Sequence, residues 1–97
     1  MAIQIYKTQP GDWYEFFDRL SEDVSSLEGR GFVVMNPDSQ RKYRAFHYLG
    51  TTILAERSAQ EIILAGNQVR KAVRILEEVT SIPLLPEGNK LRLTSQL

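Results

Sequence analysis

Few side chains in this sequence belong to the types that do chemistry. Cysteine is absent, which removes thiolate metal sites, cysteine nucleophiles and any disulfide framework. The single histidine, His47, cannot build a histidine-based metal cluster, and there is no H-E-x-x-H, no phosphate-cradling glycine loop and no G-x-S-x-G turn. Carboxylates remain for acid–base work, and Asp12, Glu15, Asp18, Glu22, Asp23 and Glu28 all fall in the first third of the chain. Their spacing puts them on the polar side of one helix, which reads as a solvated acidic face. The expectation is therefore a protein without catalytic residues, metal or cofactor, a carboxylate enzyme assembled in an oligomer cleft being the weakest alternative.

Contact chemistry is better represented. From Arg41 to Leu49 the residues alternate, with Tyr43, Ala45, His47 and Leu49 on one face and Lys42, Arg44, Phe46 and Tyr48 on the other. If the second set faces solvent, Phe46 and Tyr48 can stack on unpaired bases while Lys42 and Arg44 hold phosphates. Arg44-Ala45-Phe46-His47-Tyr48-Leu49 resembles the third-strand motif of the RNA recognition motif family: Arg44, Phe46, Tyr48 and Leu49 match it in type. Ala45 and His47 replace glycine or small residues, Thr51 stands where another aromatic is expected, and Gln4 occupies the aromatic position of the companion first-strand motif. The resemblance covers six residues. Aromatic pairs more often serve cores, so the first expectation for Phe46 and Tyr48 is packing under a helix. Arg70, Lys71 and Arg74 share an arc of a later helix that could follow phosphates, or simply be a solvated cationic face.

Twelve Lys and Arg balance twelve Asp and Glu over the 97 residues, so the formal net charge is zero. The signs are nevertheless segregated. Residues 1–29 hold two cations against six acids, and residues 30–74 hold eight cations against three acids. Residues 1–9 lack a basic stretch followed by an apolar core, and no apolar run approaches the ~20 residues needed to span a bilayer. A soluble, cytoplasmic protein with no membrane contact is expected.

The elements that must position these residues can be read from periodicity. Ile3 and Ile5 suggest a short first strand. Asp12 and Glu15 resemble a capping box, and Trp13, Phe16, Phe17, Leu20, Val24 and Leu27 then form one face of a helix ending near Gly29. Residues 31–35 read as a buried strand, paired as a hairpin with the strand of residues 41–49, with Asn36-Pro37-Asp38-Ser39 turning between them. Ser58 and Glu61 predict a second capping box opening a long helix over about 59–80, whose main apolar stripe is Ile62, Ala65, Val69, Ala72, Val73, Leu76 and Val79. Residues 90–93 alternate like an edge strand.

One domain over residues 1–97 is expected, of α+β class, in the ferredoxin-like order β-α-β-β-α-β with an antiparallel sheet and two helices on one face. The alternative drops the terminal strands and splits residues 41–55 in two, giving α-β-β-β-α. That order resembles a double-stranded-RNA-binding domain, although Ala59-Gln60-Glu61 stands where that family opens its last helix with lysines.

On a helix over 59–80, Leu64 and Ile75 fall outside the apolar stripe. Either the leucine-rich C-terminal tail covers them or a second copy of the chain does. The functional expectation is a small non-catalytic binding or adaptor protein that self-associates, most simply as a dimer through Leu64 and Ile75, with a further protein partner unspecified. The alternative is a nucleic-acid-binding module using Lys42, Arg44, Phe46 and Tyr48 with Arg70, Lys71 and Arg74.

Overall fold

Ile3 and Ile5 do alternate along a strand, β1 (Ala2–Lys7). It opens a computed structural model that describes residues 2–38 and 41–87. Helices α1 (Trp13–Glu22) and α2 (Val24–Gly29) follow, separated at Asp23, whose φ of −104° and ψ of 24° interrupt the helix. Trp13, Phe16, Phe17 and Leu20 of α1 and Leu27 of α2 are buried, as the 3.6-residue period requires, while Val24 beside the break is only partly buried. Asp12 occupies the N-cap position but makes no side-chain capping bond, so the expected capping box does not form.

Four antiparallel strands come next: β2 (Val33–Val34), β3 (Tyr43–Tyr48), β4 (Thr51–Glu56) and β5 (Glu61–Gly66). Helix α3 (Val69–Thr80) and the short β6 (Leu85–Pro86) complete the described chain. Among the described residues the sheet has six strands in the order β2-β3-β4-β5-β1-β6, and every neighbouring pair is antiparallel. The α+β class and the antiparallel sheet agree with expectation, but the sheet has six strands where four were anticipated and the ferredoxin-like order is not the one adopted. The split of residues 41–55 anticipated by the alternative order is present, at Leu49 and Gly50, which turn with φ of 44° and 79°. The edge strand expected at 90–93 lies outside the described residues.

The largest difference concerns residues 59–80. Ile62, Ala65 and Val69 keep helical spacing with α3, yet residues 61–66 of that stretch are strand β5. Ser58 and Gln60 lie in the turn after β4, Gln60 with φ of 55°, and Glu61 starts the strand rather than closing a capping box. The physical reason is tertiary. β5 is an interior strand, flanked by β4 on one side (Ala55 opposite Ile62, Ile53 opposite Leu64) and by β1 on the other (Tyr6 opposite Ile62, Gln4 opposite Leu64). Ladder bonds on both edges and burial on one face outweigh the local helical pattern, and β-branched Ile62 and Ile63 suit the pleat.

Gly66 makes the change of direction feasible. Its φ is 152°, and a Cβ there would come within 2.5 Å of the Gly50 carbonyl oxygen and of the Thr51 Cα. Thr51 Oγ1 then accepts a hydrogen bond of 2.8 Å from the Gln68 amide, joining the start of β4 to the start of α3.

All three helices lie on one face of the sheet. Tyr6, Phe46, Tyr48, Ile53, Ala55, Ile62 and Leu64 point from the strands into one cluster with the buried faces of the helices. Several polar links hold the layer. The Trp13 indole donates to the Arg57 carbonyl at 2.8 Å, Arg19 donates to the Thr80 carbonyl at 2.5 Å and pairs with Glu15, and Arg30 meets Glu78 at 2.8 Å between α2 and α3.

Candidate interaction surface

The residues singled out from sequence are placed very differently from one another. Phe46 and Tyr48 point to the helical side of β3 and are 1% and 4% exposed. Both pack on Phe32, with ring centroids 5.8 Å and 4.9 Å away. They are core side chains and present no stacking platform to a base. This corrects their assignment as binding residues. The cause is β3's position beneath α1 and α2, a fact of topology that alternation alone does not contain.

Arg44, on the same face, is buried too. Its Nε donates to the Phe17 carbonyl at 2.7 Å, its guanidinium lies 4.0 Å from the centre of the Phe17 ring, and Asp18 sits 3.9 Å from Nη2. Burial lowers its pKa from the ordinary arginine value, Asp18 opposes that effect and Arg57 adds to it. Arg44 is thus a tie between sheet and helix rather than a phosphate clamp. Of the proposed strand cations only Lys42 is exposed.

Leu64 and Ile75 are likewise corrected. Leu64 lies on the inner face of β5 and Ile75 on the inner face of α3, and both are buried within this one copy. The apparent mismatch of a helix too apolar for its chain vanishes once residues 61–66 are a strand. Arg70, Lys71 and Arg74 are exposed along α3. Arg70 and Arg74 flank Tyr6, whose phenol is pushed up by burial, with Arg70 opposing and Glu77 reinforcing the shift.

The feature missed from sequence is the opposite face of the sheet, which none of the three helices covers. Register places side chains there in rows across the strands. One row is Val33, His47, Thr52, Ala65 and Ile3; the next has Ala45, Leu54, Ile63 and Ile5, with Met35 beside Ala45 through its amide bond to the Ala45 carbonyl. Ile3, Val33 and Met35 are 59%, 56% and 58% exposed, and Leu54, Ile63 and Ile5 are half-buried by their neighbours alone. The signal was present in the alternation of Ile3 with Ile5, but it reads equally well as an inward face until the side bearing the helices is known. The run 31–35, expected to be a buried strand, holds the two-residue edge strand Val33–Val34, and of its residues only Phe32, just before that strand, is fully covered.

A third row, at the end of this face, is polar: Tyr43 pairs with Glu56, and Glu56 with Glu61. Here a cleft of about 710 Å³ opens, with Tyr43 and Leu54 in its floor, Arg41, Lys42 and Arg57 around it, and Glu56 and Ser58 on its polar side. Asn36 sets the position of Tyr43: its Nδ2 donates to the Tyr43 carbonyl and its Oδ1 accepts from the Ala45 amide, each at 2.8 Å, so that a side chain extends the β2 ladder. Arg57 is held by its backbone, whose amide donates to the Lys42 carbonyl at 2.9 Å and whose carbonyl accepts from Trp13. Its guanidinium lies 4.6 Å from the centre of the Tyr14 ring.

Among the described residues no three His, Cys, Asp or Glu side chains gather as metal ligands, and no helix is long and apolar enough to cross a membrane. Comparison of the chain with protein-family models, with curated proteins and with solved structures gives no significant match.

Proposed function

We propose that the protein is a non-catalytic binding protein that self-associates through the face of its sheet opposite the described helices, with a second copy of the same face as occupant. The observation that carries this reading is the continuous apolar band of Ile3, Ile5, Val33, Met35, Leu54 and Ile63 on that face. The largest contiguous apolar patch on a soluble domain, a few hundred Å² in extent, often marks an interaction site. β1, β3, β4 and β5 have six residues each. At about 4.8 Å between strands and 3.3 Å per residue they span roughly 400 Å² of flat surface. With side-chain relief and the rim of β2, two stacked faces exclude on the order of 1,000 Å², the lower bound for a specific interface.

A second copy fits for two further reasons. Sheets stack face to face at about 10 Å with strands within ~30° of each other, so a two-fold pairing converts two half-covered sheets into one sandwich core. The net charge of zero means that two copies meet without long-range repulsion.

Sedimentation or light scattering on the native chain and on the double variant Ile3→Glu with Met35→Glu tests this. Both side chains are more than half exposed, so the monomer tolerates the change, whereas an interface would bury four carboxylates. A concentration-dependent dimer in the native chain and a monomer in the variant are expected. A native chain that stays monomeric at high micromolar concentration, or a dimer indifferent to both substitutions, overturns the reading.

A further inference from the structure

The polar end of the same face carries side chains that sheet-to-sheet pairing leaves unused. Arg41, Lys42 and Arg57 stand around a concave site whose floor is an aromatic ring and a leucine. We propose that this cleft binds a nucleoside phosphate, with the base against Tyr43 and Leu54 and the phosphates on the three cations. The inference goes beyond self-association and shares only Leu54, at the border of the apolar band and the cleft, with it.

Four features carry it. The first is size: about 710 Å³ lies inside the range of small-molecule pockets, roughly 300–1,000 Å³. The second is charge. In a chain of zero net charge, three cations and a single carboxylate, Glu56, line one cleft over an apolar floor, an arrangement that concentrates positive potential where a phosphate would sit.

The third is preorganisation. The amide of Arg57 bonded to the carbonyl of Lys42 holds two of the cationic residues side by side, and the Trp13 indole fixes the Arg57 carbonyl from behind. The Arg57 guanidinium lies 4.6 Å from the centre of the Tyr14 ring on the helical side of the rim, so that Arg57 borders both this cleft and its neighbour, and its edge N–H groups have the fork geometry that phosphate oxygens accept. The fourth is the mixed character of the lining. A bare phosphate makes no use of an aromatic and aliphatic floor, whereas a base uses the face of Tyr43, and Glu56 and Ser58 supply an acceptor and a hydroxyl for amino or ribose groups.

A nucleic-acid strand fits less well. It needs successive stacking platforms along a basic track, and the next aromatics on β3, Phe46 and Tyr48, are buried on the other side of the sheet. On the helical side of the rim, Arg41 and Arg57 border a second cleft that Asp18 and Asp38 line, and these carboxylates repel a polyanion running past the cations.

The test is calorimetric titration of the full chain with ADP, adenosine and inorganic pyrophosphate, accompanied by two-dimensional amide NMR. One saturable ADP site is expected, with shifts at the Tyr43 and Arg57 amides and at the Trp13 indole N–H. ADP should bind at least about tenfold more tightly than either adenosine or pyrophosphate, since each supplies half of the contacts. Arg41→Glu with Lys42→Glu should weaken ADP by about tenfold or more while the amide spectrum stays dispersed. Tyr43→Ala should weaken ADP and leave pyrophosphate unchanged.

Absence of saturation at millimolar ADP overturns the proposal. So does pyrophosphate binding as tightly as ADP, which marks a cationic rim that takes any anion. Binding of a single-stranded oligonucleotide without binding of ADP also overturns it and restores the nucleic-acid reading. The Ile3→Glu, Met35→Glu variant should retain ADP binding, so failure of one proposal is distinguishable from failure of the other.

Discussion

Replacing Gly66 with alanine separates the strand from the helix by the sign of its effect. Were residues 59–80 a single helix, Gly66 would be an interior glycine, and alanine would stabilise the protein by about 0.5–1 kcal/mol. In the structure Gly66 ends β5 with φ of 152°, and the added Cβ would lie 2.5 Å from the Gly50 carbonyl oxygen, 2.5 Å from the Thr51 Cα and 2.8 Å from Thr51 Oγ1. Holding a non-glycine residue in that region costs on the order of 1–3 kcal/mol. Two of the three contacts are backbone atoms of the β3–β4 turn and the first residue of β4, which cannot swing aside as a flexible side chain would. Overpacking adds on the order of 1–3 kcal/mol.

A loss of about 2–6 kcal/mol follows, a large share of the ~5–15 kcal/mol that holds a small domain together. At about 4–8 °C per kcal/mol for a domain of this size, the melting temperature falls by roughly 10 °C or more. Urea unfolding followed by circular dichroism and by the fluorescence of Trp13, the one tryptophan, measures it. An unchanged midpoint, or a more stable variant, would refute both the strand assignment and the close approach of β5 to the turn.

Two further outcomes follow from the same packing. Leu64→Glu or Ile75→Glu should unfold the monomer rather than dissociate a dimer, because both side chains are buried within one copy and an unpaired buried carboxylate is severely destabilising; a folded monomer of either variant by NMR would contradict their placement. Asn36→Ala should cost about 2 kcal/mol in denaturant unfolding, since it leaves the Tyr43 carbonyl and the Ala45 amide without their 2.8 Å partner, and it should broaden the Tyr43 resonances before global unfolding.

Much of the local structure follows from the amino-acid sequence alone. The aromatic stripe from Trp13 to Leu20 specifies α1 by period, and the alternation around Phe46 specifies β3, because each pattern buries one face in one conformation only. Composition likewise restricts the chemistry: without cysteine and with one histidine, thiolate and histidine-cluster sites cannot be built.

What the sequence left open is which face of each element turns inward. The alternation of β3 by itself offers either Arg44, Phe46 and Tyr48 or Tyr43, Ala45 and His47 to the core; the aromatic pair favours the first set, and packing under the helices selects it. Ile62 and Ala65 satisfy a helical stripe together with Val69 and Ala72, yet their segment becomes an interior strand because β1 and β4, distant in the chain, supply ladder partners on both edges. The apolar band and the cleft at its end therefore belong to tertiary structure. Their residues come from β1, the segment around β2, and β3, β4 and β5, and no local pattern records that these segments share one face or that the described helices lie on the other.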